Sequence, residues 1–177
     1  MTTLLLPDIS RQATWSVSSS KQGLGVTNLT GHPHQNTDTY WQSDGQQPHS
    51  ITVKFPTRQQ IHSISLYANI DKDESYTPCR IRILSGTTQY DLQLVKDLML
   101  EHEPRGWIDI PLNDHQQESV LMAHLVVVEL PLNYENGRDV RVRGLRLLAP
   151  PKNDHLFKTK KILPFTTPEY FMYDSFR

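Results

Sequence analysis

Apolar and polar residues alternate with a period of two along most of the chain between residues 50 and 149. Because successive side chains of a β-strand point to opposite faces, this alternation predicts strands with one buried face. The apolar positions are Ile51, Val53 and Phe55; Ile64, Leu66 and Ala68; Ile81 and Ile83; Tyr90, Leu92 and Leu94; Ile108, Ile110 and Leu112; Val140 and Val142; and Leu145 and Leu147. Residues 125–130 are apolar at nearly every position, which predicts a strand covered on both faces.

The number and spacing of these segments predict the fold class. About seven strands, separated by segments that contain Gly, Pro, Asn or Asp, are typical of an all-β antiparallel β-sandwich. A jelly roll is favoured over an immunoglobulin-like topology, because the Cys…Trp…Cys spacing of the latter is absent. Helix is scarce, and only residues 25–30 and 97–103 are expected to form a helical turn or so each.

Two prolines, Pro150 and Pro151, end the last predicted strand and divide the chain. We expect an N-terminal extension over residues 1–14, a jelly-roll domain over residues 15–150 and an extended tail over residues 151–177. The tail carries a net charge of +2 and contains six of the fifteen aromatic residues. Because disordered linkers are poor in aromatic residues, these side chains are expected to pack on something.

Composition narrows the class of protein. A chain of 177 residues is long enough for one domain with its own core. A net charge of −1 argues against nucleic acid or an acidic membrane surface as the partner. The single cysteine, Cys79, excludes an internal disulfide, and no apolar run exceeds four residues. The N-terminus lacks the pattern of a signal peptide, so an intracellular domain is expected.

Candidate catalytic and metal-binding residues are few. There is no Gly-x-Ser-x-Gly elbow, phosphate-binding glycine loop or His-Glu-x-x-His pair. Cys79 is expected to be a small buried strand residue, and His32 with His34 is expected to lie in a solvated loop rather than at a metal. Three carboxylates form a cluster that is more typical of a solvated turn than of a hydrolase: Asp71, Asp73 and Glu74. The sequence therefore predicts no catalysis, no metal and no cofactor.

Five arginines recur at a period of two and are predicted to lie on the outward face of their strands. They are Arg80, Arg82, Arg141, Arg143 and Arg146. A solvated sheet face is the preferred interpretation, with a partner surface as the alternative.

Several polar loops contain the materials for binding an extended peptide or a sugar. Residues 39–45 place Tyr40 and Trp41, which are expected to anchor a sheet edge, before a turn formed by Asp44 and Gly45. Residues 73–78 are polar apart from one tyrosine and a proline, and residues 136–139 contain an Asn-Gly turn signal between two strands.

These loops, together with residues 47–49 and 106–108, closely resemble in order and spacing the DOC-domain subunits of the anaphase-promoting complex (the cyclosome), a cell-cycle ubiquitin ligase. The resemblance runs from about Trp15 to the C-terminus. It implies a β jelly roll akin to galactose-binding modules and a non-catalytic role. Family members act with a propeller-type coactivator as co-receptor for the destruction-box degron and raise the processivity of ubiquitin transfer. A location in nucleus and cytoplasm is expected.

The resemblance also implies the site residues. The degron-facing residues would be Asn136, Gly137, Arg138 and Asp139, with Ser43, Asp44, Asp73, Glu74, Ser75 and Tyr76. Family members typically end in Ile-Arg, which docks in a groove of a tetratricopeptide-repeat subunit. Here Phe176 precedes Arg177, so either that groove is wider or the contact has changed.

Two alternatives belong to other functional classes. Sugar-binding jelly rolls share the predicted architecture, which makes a carbohydrate-binding module the second hypothesis. A hydrolase is the third, and it would need carboxylates that converge in one cleft.

Overall fold

Ten β-strands make up most of the described chain in the computed structural model, which describes residues 6–30, 38–112 and 120–151. The strands are β1 (Thr14–Val17), β2 (Trp41–Gln42), β3 (His49–Ile61), β4 (Ser63–Asn69), β5 (Pro78–Gly86), β6 (Gln93–Met99), β7 (Arg105–Pro111), β8 (Leu121–Asn133), β9 (Arg141–Val142) and β10 (Gly144–Leu148). The helical segments are α1 (Thr27–Thr30), α2 (Ile70–Asp73) and 3-10 turns at Ser10–Gln12, Glu74–Tyr76 and Tyr134–Asn136.

The strands form an antiparallel sandwich. One sheet has five strands in the order β1-β3-β8-β5-β6, and the facing sheet has three in the order β10-β4-β7. The short strands β2 and β9 pair with each other. Inward positions are apolar and fully buried, as at the neighbouring pair Ile51 and Val128 and at Leu66 of the facing sheet. Burial of these apolar faces holds the two sheets together and confirms the predicted all-β sandwich.

The strand predicted over residues 125–130 is covered on both faces, as expected. Val126 and Val128 point into the core and are fully buried, while Leu125 and Val127 on the outer face are only 3% and 6% exposed.

Two local predictions between residues 90 and 103 are wrong. Residues 97–99, predicted to be helical, end strand β6, where Asp97 pairs with Arg80 and Arg82 of β5. These cross-strand ion pairs and the strand hydrogen bonds outweigh the weak local helix signal. Tyr90 lies fully exposed in the β5–β6 turn instead of in a strand. Backbone N–H groups of Thr87 and Thr88 donate to the Asp91 carboxylate and close that turn.

The N-terminal residues that are described attach to the last strand. Ile9 N–H donates to the Leu147 carbonyl, and Ala149 N–H donates to the Pro7 carbonyl, at 3.0 and 2.8 Å. No helix in the three described ranges is long and apolar enough to cross a membrane.

Three connections meet at one end of the sandwich, which we call the loop end: residues 38–48, 69–77 and 134–143. Backbone hydrogen bonds tie them together, from Tyr134 N–H to the Thr77 carbonyl and from Ser43 N–H to the Val140 carbonyl. The loop end therefore brings together the three polar loops that the sequence singled out, around residues 39–45, 73–78 and 136–139.

Candidate functional site

The turn at residues 134–139 packs directly on residues 74–77. A Cβ atom added to Gly137 would lie 1.7 Å from the carbonyl oxygen of Ser75. Only a glycine permits such an approach of two backbones. Gly137 is therefore required by the packing of the two backbones. This close packing holds Asn136 and Arg138 beside the neighbouring loop.

The same turn has an unusual backbone conformation. Glu135 and Asn136 both adopt the left-handed region, with φ of 53° and 56°. Each such non-glycine residue costs about 1–2 kcal/mol, less for asparagine. Asn133, buried at the end of β8, holds the turn because its Nδ2 donates to the carbonyls of Gly137 and Asp139 at 3.1 and 2.7 Å.

Tyr134 fastens the base of the turn to a third connection. Its hydroxyl donates to the His102 carbonyl at 3.0 Å, and its backbone N–H donates to the Thr77 carbonyl at 2.9 Å. Burial is the largest cause that raises the pKa of the Tyr134 hydroxyl.

Ser43 is fully buried and acts inside the loop end. Its hydroxyl accepts the Val140 N–H at 2.9 Å and donates to the Asp139 carboxylate at 3.5 Å. Ser43 is one of the residues predicted to face the degron, and in the structure its hydroxyl faces the protein instead.

The Arg138 carbonyl is held by two side chains, one just before β3 and one at its first residue. Gln47 Nε2 donates to it at 2.9 Å, and His49 Nε2 lies 2.8 Å away. Because a carbonyl only accepts hydrogen bonds, this His49 nitrogen must carry a proton. The main chain of Arg138 is thereby anchored, while its side chain is exposed.

A buried ion pair links the loop after β4 to the strands that follow residues 134–139. Arg143 Nε and Nη2 donate to the two Asp73 carboxylate oxygens, both at 2.7 Å. The side chains are 6% and 1% exposed. The hydrogen bond with Asp73 is the largest cause that raises the pKa of Arg143. The predictions of a solvated turn at Asp73 and a solvated face at Arg143 are therefore wrong, since each ion compensates the other away from water.

The remaining arginines also differ from the predicted stripe. Arg80 and Arg82 form ion pairs with carboxylates on the outer face of the five-stranded sheet, and Arg146 stacks on Trp107 of the three-stranded sheet at 3.5 Å from the ring centre. Arg141 lies between Tyr40 and Tyr76 at the loop end, 4.8 and 4.1 Å from the ring centres. The five arginines occupy three separate places, because their strands belong to different sheets.

The surface of the loop end is polar and of mixed charge. Four of the predicted site residues are exposed: Asp44, Glu74, Asn136 and Arg138. Four more are partly exposed: Ser75, Tyr76, Gly137 and Asp139. A further ion pair lies at its margin, where Lys72 Nζ is 2.8 Å from Asp38 Oδ1. The hydrogen bond with Lys72 is the largest cause that lowers the pKa of Asp38. Amide, guanidinium and carboxylate groups can together satisfy both donors and acceptors of a peptide.

Sequence reasoning missed the supporting role of Asn133 and the stacked position of Arg141. Asn133 had one local signal, an amide that interrupts the apolar alternation of β8 just before the Asn-Gly turn. Arg141 had none, because its contacts come from loops about 65 and 100 residues away along the chain.

The described part of the chain offers few groups for metal binding or thiol chemistry. No group of three or more His, Cys, Asp or Glu side chains that could hold a metal ion occurs in residues 6–30, 38–112 and 120–151. Cys79 is partly exposed in β5 rather than fully buried, and burial is the largest cause that raises the pKa of its thiol. The residues His32, His34, Phe176 and Arg177 lie outside the described residues.

Relatives match nearly the whole chain. Residues 3–175 match the family model described as anaphase-promoting complex, subunit 10 (APC10). The anaphase-promoting complex subunit 10 of Dictyostelium discoideum is 39% identical over 170 residues, which cover 96% of this chain and 86% of the relative. That of Drosophila melanogaster is 42% identical over 150 residues, which cover 84% of this chain and 73% of the relative. The Homo sapiens protein is 35% identical over 170 residues, covering 96% and 88%.

Solved structures show the same fold at low identity. The family 32 CBM of Clostridium perfringens NanJ in complex with galactose has a TM-score of 0.65 and 13% identity, covering 81% of this chain and 99% of that one. The CBM32-1 and CBM32-2 domains of Clostridium perfringens ZmpB in complex with GalNAc have a TM-score of 0.64 and 11% identity. The match covers 80% of this chain and 34% of that one. This likeness confirms the predicted galactose-binding-like jelly roll and concerns the fold alone.

We expect Asp73→Asn to destabilise the protein by about 3–5 kcal/mol, because it removes the carboxylate that compensates the buried charge of Arg143. The matched control is Asp71→Asn on the same helix, whose side chain is 62% exposed and pairs with Arg105. That change should cost less than about 1 kcal/mol. Urea unfolding followed by tryptophan fluorescence measures both, and equal losses would contradict the role of burial.

Gly137→Ala should lower the free energy of unfolding by about 1–3 kcal/mol or displace the turn, because the new Cβ collides with the Ser75 carbonyl. Gly25→Ala is the control, since its Cβ would meet the Ser20 hydroxyl at an ordinary 3.9 Å. Unfolding curves and backbone amide NMR shifts report stability and displacement. A Gly137→Ala protein with native stability and unchanged Ser75 shifts would refute the close approach.

Proposed function

The chain belongs to the subunit 10 family of the anaphase-promoting complex, and from this premise we propose that it is a non-catalytic co-receptor for the destruction-box degron. In this role it acts with a propeller-type coactivator and raises the processivity of ubiquitin transfer to cell-cycle regulators. The observation that carries the proposal is the loop end, where exposed polar side chains are held by buried contacts beneath them.

An extended peptide needs partners for its backbone as well as for its side chains. The Asn136 amide can donate and accept, the Arg138 guanidinium donates, and the Asp139 carboxylate accepts. Their main chain is fixed by Asn133 and by the approach of Gly137 to Ser75. Since the turn is held in place before a ligand arrives, little ordering is required on binding.

A surface of this size should bind a degron weakly on its own. If a coactivator holds the same degron, the second contact becomes intramolecular, with an effective concentration on the order of millimolar. A longer residence on the ligase then allows more ubiquitin molecules to be added per binding event. This division of work requires no catalytic group in the subunit itself.

The proposed partners follow from the same role. They are other subunits of the complex, among them a tetratricopeptide-repeat subunit, together with the coactivator and destruction-box substrates; nucleic acid and membranes are not among them. We place the protein in the nucleus and the cytoplasm, where such substrates are degraded. Carbohydrate binding is the competing proposal, supported by the fold shared with sugar-binding modules. A glycan-array signal without binding of degron peptides would favour it.

Replacing both Asn136 and Asp139 by Ala should keep the fold and the assembly of the complex but shorten the ubiquitin chains on degron substrates. The reason is that the two side chains are partly or fully exposed and contribute polar contacts that alanine lacks. Chain length per encounter is measured with reconstituted ligase, coactivator and a cyclin substrate in a single-encounter assay.

In the matched control, both Thr57 and Gln60 are replaced by Ala. These two residues are exposed at the opposite end of the sandwich. It should leave chain length unchanged. Processivity of the Asn136/Asp139 variant equal to that of the wild type would show that the site is assigned to the wrong loop.

Deleting Phe176 and Arg177 should weaken retention of the chain in the complex and leave its thermal unfolding unchanged. The guanidinium and the terminal carboxylate are the charged groups that a polar groove would bind. Retention is measured by pull-down with the tetratricopeptide-repeat subunit. Phe176→Ile serves as the companion variant, and unchanged retention of the deletion variant would count against the docking assignment.

A further inference from the structure

Arg141 presents a cation at the loop end that the described residues leave largely without hydrogen bonds. Its Nε donates to Gln42 Oε1 at 3.0 Å, and this is its one hydrogen bond with a described residue. The four hydrogens on Nη1 and Nη2 have no acceptor there. Neither nitrogen is among the buried polar atoms that lack a partner, and the Arg141 side chain is 22% exposed.

The nearest carboxylate does not neutralise this cation. Asp73 Oδ1 lies 3.8 Å from Arg141 Nη1, too far for a hydrogen bond. Both oxygens of that carboxylate already accept hydrogen bonds from Arg143 at 2.7 Å. Two guanidinium groups thus share one buried carboxylate, and the cluster of Asp73, Arg141 and Arg143 retains one positive charge.

The guanidinium of Arg141 is held in place by its neighbours. The rings of Tyr40 and Tyr76 lie 4.8 and 4.1 Å from its central carbon, close enough for cation–π attraction to both. The bond to Gln42 fixes the Nε edge. A planar guanidinium held in this way loses little further conformational freedom when it binds a ligand. Its two Nη groups match the two oxygens of a carboxylate.

We propose that Arg141 is a subsite that binds a carboxylate of the peptide at the loop end, so that an acidic residue at one position beside the degron strengthens binding. This inference rests on the proposed degron-binding function and adds to it a preference for charge. The carboxylate can come from an Asp or Glu side chain or from the C-terminus of the peptide, and the chemistry of the contact is the same for both.

The test uses fluorescein-labelled peptides that carry the destruction box of a cyclin, with Glu or Gln placed at one flanking position at a time. Each peptide is made with a free and with an amidated C-terminus. Fluorescence polarisation gives the Kd for the full chain and for the Arg141→Gln variant. Arg58→Gln is the control, since it removes the same charge from an exposed residue at the opposite end of β3.

At one position we expect the Glu peptide to bind about threefold to tenfold more tightly than its Gln partner, as for a charge-assisted contact partly open to solvent. The preference should disappear in Arg141→Gln and persist in Arg58→Gln. If the Glu and Gln peptides bind alike, but amidation weakens both for the full chain and not for Arg141→Gln, the carboxylate is that of the C-terminus.

The possible failures are distinguishable. If peptides bind and the Asn136/Asp139 variant weakens them, but every Glu/Gln ratio is near one and amidation changes no Kd, the Arg141 subsite is refuted while the proposed function stands. A preference that survives in Arg141→Gln refutes the subsite as well. If no peptide binds, or if the Asn136/Asp139 variant binds as the wild type does, the proposed function fails and the subsite with it.

Discussion

The buried ion pair between Asp73 and Arg143 joins two of the three connections that form the loop end. One ion ends α2, which follows β4, and the other directly follows β9. Because neither charge is in contact with bulk water, each is stable there only while the other is in place. The pair therefore determines how residues 69–77 lie relative to residues 134–143, and the polar surface above it depends on that arrangement.

The other contacts of the loop end work within this constraint. The approach of Gly137 to Ser75 brings two backbones into contact, and Asn133 holds a turn that includes two residues in the left-handed region. Buried groups thus do the positioning, while Asn136 and Arg138 face solvent. Two of the residues implied by the family resemblance, Ser43 and Asp73, belong to the buried, positioning set.

The sequence predicted well where the cause is local. Alternation at residues 51–55 and the continuous apolar run at 125–130 follow from burial of one or both faces of a strand, and both strands are present. Contacts between segments that are distant along the chain could not be predicted from the sequence pattern. Asp73 and Arg143 are 70 residues apart, and a carboxylate in a polar run looks solvated until its partner is known. The helix expected near Asp97 failed for the same reason, since its arginine partners lie on the neighbouring strand.

Backbone amide NMR shifts of the full chain, titrated with a cyclin destruction-box peptide, test whether the loop end of this subunit 10 family member binds the degron. For binding at the loop end, we expect the shifts to concentrate at residues 43–47, 74–77 and 135–141, with little change on the outer face of the five-stranded sheet. Shifts centred on that outer face, for example around Thr52 and Lys54 of β3, would show that the degron binds elsewhere.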